Sequence, residues 1–399
     1  MAAPSRTLFA FLGVATFFEG FDFIAITQVL PEVRRTWGLT EAEGGLIIGF
    51  CNIGPVLAFL LVRQADRYGR ARVLNWTILG FTLASLATAF SPNPVVFAVA
   101  QLIARTFLIS EWALCMIYAA ETWPAEERGK AIGALQALAS VGAVVCAGLT
   151  PFLLTSPIGW RAVYVVGAIP LLFMAWARRA LPESPLYRRD LNPEAPSLLR
   201  VLRSDRRKRV LQLAGIWFLT YVGTQSGITF WKEYALNEAE LSEAQVGRTL
   251  AVGALLTIPL MFSVGRMLDR FGRRMSSLLI FPTAALGVYG SFTFTDPTLL
   301  LVSVTLLVFG CAAVLPVLEA YSTELFPTEM RSDAWGWANN LLARQANIFI
   351  PPVVGAMAGE IGWGPSVSYT SVGLIAALAA IWVWMPETRG RSLEETARG

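Results

Sequence analysis

The chain contains no histidine and few charged residues. Asp, Glu, Lys and Arg together make up only 15% of its 399 residues, whereas hydrophobic residues make up 55%. Soluble domains are usually about a quarter charged, so this composition indicates a membrane protein. The absence of histidine excludes Ser–His nucleophiles and HExxH-type metal sites, and any proton coupling must therefore run through carboxylates.

Cysteine is also scarce, and its placement excludes a disulfide or metal framework. The four cysteines lie inside apolar segments at unrelated spacings, as small buried core residues do. They are Cys51, Cys115, Cys146 and Cys311. We therefore predict no metal site and no cofactor other than a proton gradient.

Twelve apolar segments are long enough to cross a bilayer, which takes about 20 residues in a helix. They are 7–30, 44–63, 73–91, 94–120, 130–154, 160–181, 210–231, 246–265, 275–294, 297–320, 334–358 and 364–385. Little chain remains between them, so the sequence predicts an all-α integral membrane protein without a sizeable soluble domain. The first segment lacks a small-residue cleavage site after it, and we expect it to be retained as a span.

The positions of Lys and Arg predict the orientation. If both termini are cytoplasmic, most of the 32 basic residues lie inside, as the positive-inside rule requires. Those left outside are Arg34, Arg35, Arg161, Lys232 and Arg248. We expect a monomeric, multi-pass protein of the plasma (inner) membrane. The basic cluster at 203–209 is explained by topology and anionic headgroups, so no nucleic-acid partner is expected.

The two halves of the chain repeat one another at an offset of about 203 residues. "DRYGR" starts at Asp66 and "DRFGR" at Asp269, and "ETWPAEERG" and "ELFPTEMRS" follow at the same offset. An even number of spans in each repeat makes the repeats parallel, an architecture in which transporters build a central cavity. We predict two pseudo-symmetric six-helix bundles and a linker. Their bounds are 1–181 for the first bundle, 182–209 for the cytoplasmic linker and 210–399 for the second bundle.

The repeated loop resembles a motif of the major facilitator superfamily. The second-half copy contains the pattern from Gly265 to Arg274, and the first-half copy departs from it at Val62 and Ala71. "PESP" and "PETRGRSLEE" resemble segments of the sugar-porter and organic-ion branches. The resemblance covers the whole chain and implies a secondary transporter, not an enzyme.

Charged residues at the cytoplasmic helix ends are candidates for a gating network. The Asp of each motif is expected to accept hydrogen bonds from a helix N-terminus, and the Arg residues to pair with acids at the ends of spans four and ten. The resemblance implies that this network stabilises the outward-facing state; a basic loop that only sets topology is the alternative. The network residues are Asp66, Arg67, Arg70, Glu121, Arg128, Asp269, Arg270, Arg273, Glu324 and Arg331.

Three acids within the spans are candidates for proton coupling. Glu19 and Asp22 share a face near the middle of span one, and Glu111 lies in span four. Ionisable groups at mid-bilayer cost about 2.5–3.5 kcal/mol on insertion scales, so they are functional candidates by default. The motif "EGFD" resembles the acidic pair of aromatic-acid/proton and related metabolite/proton symporters. The pair Glu111–Trp112 also resembles a motif of the metabolite/proton symporters.

Arg344 in span eleven is the candidate anion site. It precedes Pro351 by seven residues, and it resembles a position where organic-ion transporters of the superfamily have a charged residue, Arg in the anion carriers. A guanidinium binds a carboxylate through two hydrogen bonds. The other candidate substrate-binding residues are Arg105, Gln225, Tyr221, Asn340 and Trp112.

Structural alternatives stay open for several of these residues. The alternative role of Arg105 is a static ion pair with Glu19 or Asp22 that holds spans one and four together. The alternative role of Glu111 is to be a structural partner of Arg105. Glu319 is assigned to the network at the end of its helix. The polar face of span seven has the alternative of hydrogen bonding within its own bundle.

These observations predict a proton-coupled symporter that takes up a small organic anion by alternating access. Protonating one acid would remove repulsion toward the incoming carboxylate. The alternatives are a drug or organic-cation antiporter that uses the same acids, a sugar or polyol porter, and a sensor that does not transport.

Overall fold

The computed structural model describes residues 6–62, 64–177, 204–327 and 330–389, which are almost entirely helical. The helices before residue 178 are α1 Arg6–Trp37, α2 Glu41–Cys51, α3 Gly54–Val62, α4 Gln64–Tyr68, α5 Arg70–Ala89, α6 Pro94–Thr122, α7 Ala125–Leu154 and α8 Arg161–Ala177. Those after it are α9 Arg207–Asn237, α10 Glu243–Phe271, α11 Arg273–Ser291, α12 Pro297–Glu324, α13 Arg331–Trp335, a π-helix Gly336–Ala343, α14 Gln345–Ile361, α15 Trp363–Ser368 and α16 Ser371–Trp384.

Each of the twelve predicted spans coincides with one of these helices or with a consecutive group of them. Within the described residues, eight helical segments are long and apolar enough to cross a membrane by length and composition. The other four predicted spans are α5, α8, α9 and α11, which are shorter or less apolar. The predicted all-α membrane architecture is confirmed.

The chain divides into two compact units. Unit 1 comprises Met1–Leu39 and Phe50–Pro193, and unit 2 comprises Thr40–Gly49 and Glu194–Gly399. This division differs from the grouping by sequence at residues 40–49, which belong to the first repeat. The predicted linker falls outside the described residues as far as residue 203.

Residues 40–49 cluster with unit 2 because α2 packs closely on α14. A side chain at Gly45 would overlap the carbonyl oxygen of Pro351, and one at Gly49 would overlap that of Ile348. Small residues permit such close approach between membrane helices.

Span two is broken between α2 and α3. The helix ends at Cys51, and a new helix begins at Gly54 with Pro55 at its second position. Proline has no N–H to donate and its ring clashes with the carbonyl of the preceding turn, so an α-helix cannot run through this point undisturbed.

The position of α1 in unit 1 is set by its crossing with α7. Added side chains at Gly20 and Gly142 would overlap the carbonyl oxygens of Ala139 and Phe17, respectively. The two backbones therefore touch directly. This contact determines how deeply the acids on either side of Gly20 are buried.

Prediction for the helix crossing. Gly142→Ala should lower the free energy of unfolding by about 3 kcal/mol, the upper end of the usual overpacking cost, because the new methyl group meets a backbone oxygen that cannot turn away. The measurement is thermal unfolding of the purified protein in detergent. Gly148→Ala on the same helix is the control, since nothing lies within 4 Å of its added carbon. Equal stability of the two variants would contradict the close crossing.

Candidate functional site

Two buried carboxylates from α1 and α6 come together in unit 1. The carboxylate oxygens of Glu19 and Glu111 and the Sγ of Cys115 lie within 4.8 Å of one another. Thr77 Oγ1 donates to Glu111 Oε2 at 2.5 Å, and Cys115 Sγ donates to Glu111 Oε1 at 3.6 Å. Carboxylates this close repel each other when both are ionised. Oxygen and sulfur atoms are also metal ligands, but an acidic cluster alone does not define a metal site.

Asp22 has a different set of neighbours from Glu19, although the two are one helical turn apart. Its side chain is 8% exposed and its Oδ2 accepts a hydrogen bond from Ser85 Oγ on α5 at 3.3 Å. Its Oδ1 faces Gly167 on α8, where an added side-chain carbon would lie 3.5 Å away. The structure therefore brings Glu19 together with Glu111 and directs Asp22 toward α5 and α8.

Arg105 on α6 lies at the break in span two. Its Nη1 donates to Asn52 Oδ1 at 3.0 Å, and its Nη2 donates to the Phe23 carbonyl oxygen at 3.2 Å. The guanidinium also lies over the Phe23 ring, 5.4 Å from its centroid. These contacts hold together α1, α6 and the break. Trp112, further along α6, is 38% exposed.

The second candidate cluster surrounds Arg344 in unit 2. This residue directly follows the π-helix, and its Nε donates to Asn340 Oδ1 at 3.1 Å. Tyr221 on α9 donates its hydroxyl to Asn339 Oδ1 at 2.9 Å. A π-helical turn inserts an extra residue and redirects the side chains that follow, and such turns are frequent at functional sites. The turn places two asparagines beside the arginine.

Glu319 joins this cluster, although the sequence favours its assignment to the network at the end of its helix. Its Oε2 accepts a hydrogen bond from Trp335 Nε1 at 3.0 Å, and it interacts electrostatically with Arg344. The expectation that Glu319 serves the network at the end of its helix therefore needs correction, because the side chain turns toward α13 and Arg344. Gln225 is half-buried and has no hydrogen bond to the described residues.

The gating candidates form one matching ion pair in each unit. Arg70 Nε lies 3.2 Å from Glu121 Oε1 in unit 1, and Arg273 Nη2 lies 2.6 Å from Glu324 Oε1 in unit 2. Each arginine also donates to the carbonyl oxygen five residues before it, at 3.3 Å in both units. The two copies of the sequence motif therefore form the same ion pair and the same carbonyl contact.

The other gating candidates are arranged differently. Asp269 is exposed and accepts no hydrogen bond from the described part of the chain. The Arg270 guanidinium lies 5.6 Å from the centroid of the Phe271 ring, and Arg331 Nη2 donates to the Phe326 carbonyl oxygen at 3.4 Å. The side chains of Asp66, Arg67 and Arg128 lie outside the described part of the structure.

Glu387, which sequence reasoning missed, takes the role expected of Asp269 in this structure. Its Oε1 accepts from the backbone N–H of Arg273 at 3.1 Å, and its Oε2 from that of Arg274 at 3.0 Å. Burial raises the pKa of Glu387, but four backbone N–H donors, two of them from the residues that follow it, outweigh burial and hold this pKa below its ordinary value. The signal was present in the sequence as the "PES"/"PET" repeat.

The helices that match the predicted spans and the Arg–Glu pair in each unit agree with the predicted multi-pass membrane architecture. The family model described as Major Facilitator Superfamily matches residues 12–343, with a second match over 213–399. The chain therefore belongs to the major facilitator superfamily. It is a transporter and not an enzyme.

Relatives of known name are similar over nearly the whole chain. A protein of Cupriavidus pinatubonensis named as a probable 4-methylmuconolactone transporter is 28% identical over 389 residues, covering 94% of this chain and 89% of that one. The cis,cis-muconate transport protein of Acinetobacter baylyi is 28% identical over 404 residues, covering 93% and 92%. The solved inward open conformation of the xylose transporter XylE from E. coli shares the fold, with a TM-score of 0.78 at 20% identity and coverage of 98% and 99%.

Prediction for the Glu387 cap. Glu387→Gln should lower the free energy of unfolding at neutral pH by about 1 kcal/mol, the typical contribution of a helix cap. Because the folded pKa lies below the ordinary value of 4.5, the contribution of the carboxylate is complete above that value and is lost as the pH falls through the folded pKa. The measurement is thermal unfolding of both proteins as a function of pH. The exposed Glu360→Gln on α14 is the control, and a deficit that persists unchanged below pH 4.5 would contradict the cap.

Proposed function

We propose that the chain is a proton-coupled symporter of a small organic carboxylate. It works by alternating access, as a monomer in the plasma (inner) membrane with both termini in the cytoplasm. The observation that carries the proposal is the burial of three carboxylates in unit 1, on helices that would lie within a bilayer.

Proton binding is proposed because these buried acids are costly to keep ionised. Glu19, Asp22 and Glu111 are 3%, 8% and 0% exposed, respectively. A charged carboxylate in such surroundings is costly, whereas a protonated one is much less so. With no histidine in the chain, these acids are the groups best suited to bind and release a proton during transport.

Arg344 is the residue proposed to bind the anion. Its guanidinium is half-buried beside neutral amides, and its Nε bond to Asn340 orients it. A guanidinium held in this way offers its terminal N–H groups to a carboxylate. The name of the muconate-transporting relative, a carboxylate carrier, supports the same substrate class.

Coupling follows from charge. A proton bound by one of the acids removes a negative charge that would oppose an incoming carboxylate, so we expect proton and anion to favour each other's binding. By thermodynamic reciprocity, each then raises the affinity of the protein for the other.

Uptake by proteoliposomes tests whether the protein is a proton-coupled carboxylate symporter. A panel of labelled carboxylates, with muconate and aromatic acids among them, is offered with and without an inward proton gradient. Accumulation of one acid that depends on the gradient supports symport. Loss of cationic dyes from the vesicles, with no carboxylate accumulated, would assign the chain to cation antiport instead.

Prediction for the anion site. Arg344→Ala should weaken carboxylate binding by roughly 10- to 100-fold, because a hydrogen bond to a charged group contributes about 1.5–3 kcal/mol. Arg344→Lys should recover part of the lost affinity, since lysine restores the positive charge but not the two parallel N–H donors of the guanidinium. Equilibrium binding of the labelled acid measures both. The exposed Arg248→Ala is the control, and wild-type binding by Arg344→Ala would contradict the anion assignment.

Prediction for the proton site. Asp22→Asn should abolish accumulation driven by the proton gradient, because an amide cannot take up and release a proton at working pH. Initial uptake rates across a pH series measure this. Asp205→Asn, an exposed acid before α9, serves as the control. Uptake that stays pH-dependent at the wild-type rate in the Glu19→Gln/Asp22→Asn double variant would refute the proton site.

A further inference from the structure

Several buried polar side-chain atoms in unit 1 have no hydrogen-bond partner among the described residues, and two of them lie on the packed helices α1 and α8. These two are the hydroxyl of Tyr164 on α8 and the Oδ1 of Asp22 on α1. Tyr164 is 0% exposed. Buried polar atoms in proteins are almost always hydrogen-bonded to protein or to ordered water, so two such atoms in one region require an explanation.

The backbone of α8 connects the two atoms. Asp22 Oδ1 faces Gly167, and Tyr164 lies one turn earlier on the same face of α8. Gly167 presents no side chain to Oδ1, and an added carbon there would meet Oδ1 and the Phe21 ring at 3.4–3.5 Å. A buried water is stable where it finds two to four polar partners, and Asp22 and Tyr164 supply two.

Tyr164 lies on the side of Asp22 toward the start of α8, the end that the predicted orientation places outside. Its ring packs against Phe97 and Trp160, with centroids 6.1 and 6.3 Å away. Trp160 in turn donates its Nε1 hydrogen to Thr36 Oγ1 at the end of α1. This aromatic cluster surrounds the ring, so the hydroxyl is the polar end of an otherwise apolar side chain.

Asp22 is one of the ionisable groups that interact electrostatically with the Tyr164 hydroxyl. The others nearby are Cys51, Arg105 and Cys146, from the end of α2, from α6 and from α7. Buried thiols exchange protons poorly near neutral pH, and a guanidinium stays charged. Asp22 is thus the proton acceptor that Tyr164 has nearby.

We propose that Tyr164 is a proton-relay residue that connects Asp22, through water beside Gly167, to the outer end of unit 1. The hydroxyl oxygen accepts a proton from water on its outer side while its own proton passes to water beside Asp22 and onward to Oδ1. The tyrosine is unchanged after each transfer, so no other reactant is needed. This inference rests on the proposed proton-coupled symport and adds the route by which the proton arrives.

The test compares two transport modes of the full-length protein in proteoliposomes. Uptake driven by a proton gradient requires Asp22 to gain and lose its proton in each cycle, whereas exchange of labelled for unlabelled carboxylate at equal pH does not. Tyr164→Phe removes only the hydroxyl, and it should slow gradient-driven uptake by about tenfold or more, as loss of a proton-transfer group does. Exchange should stay near the wild-type rate. The rate ratio in D₂O and H₂O should fall, because proton transfer becomes limiting.

Two further variants complete the test. Gly167→Ala places a methyl group beside Oδ1 at ordinary contact distance and should give the same split between the two modes. Tyr321→Phe is the matched control, since Tyr321 in unit 2 is equally buried and its hydroxyl also has no partner among the described residues, but it lies at the helix end near Glu324 and Glu387. It should leave the ratio of uptake to exchange unchanged.

The outcomes distinguish failure of the proton relay from failure of the proposed symport. Wild-type gradient-driven uptake in both Tyr164→Phe and Gly167→Ala, or an equal loss of uptake and exchange in both, would overturn the relay and leave symport standing. Absence of gradient-driven carboxylate uptake in the wild type would overturn the proposed symport itself, and this is seen before any variant is made.

Discussion

The close contact between α1 and α7 is the interaction on which the candidate proton site depends. Gly20 lies between Glu19 and Asp22, and its backbone touches that of Ala139. Because this face of α1 is occupied by α7, the two acids on either side of it reach different helices. Glu19 meets Glu111 on α6, whereas Asp22 turns toward α5 and α8. A wider crossing would let α1 rotate, and both acid environments would be lost together.

The residues that repeat between the halves differ in kind from those that do not. The arginine–glutamate pair, its carbonyl contact and the glycine turn before it recur at an offset of 203 residues, with Gly69 and Gly272 both at positive φ. These parts hold helix ends together, and each unit needs them. The buried acids and Arg344 have no such counterpart: Asp22 corresponds to Gln225, a neutral side chain. The repeated scaffold therefore carries different charges in its two units.

Arg105 and Glu387 show how helix irregularities are stabilised within apolar surroundings. Arg105 contacts the break in span two through Asn52, and Glu387 binds the N-terminal amides of α11. Backbone groups freed at a break or a helix end need partners where water is scarce. Glu387 meets that need at a helix end, and Arg105 binds the Asn52 side chain at the break, so a charge near a membrane helix is not in itself a mark of substrate binding.

The sequence by itself determined the twelve spans, the twofold repeat and the residue types available for chemistry, because apolar length and recurring motifs are local properties of the chain. It also pointed to Glu19, Asp22, Glu111 and Arg344, since charges within apolar runs are visible without a fold. Only the tertiary structure decided which of them meet. The pairing of Glu19 with Glu111, the π-turn before Arg344 and the approach of Asp22 to Gly167 depend on helix rotation and depth. Those quantities are set by contacts such as that of Gly20 with Ala139, between residues far apart in the chain.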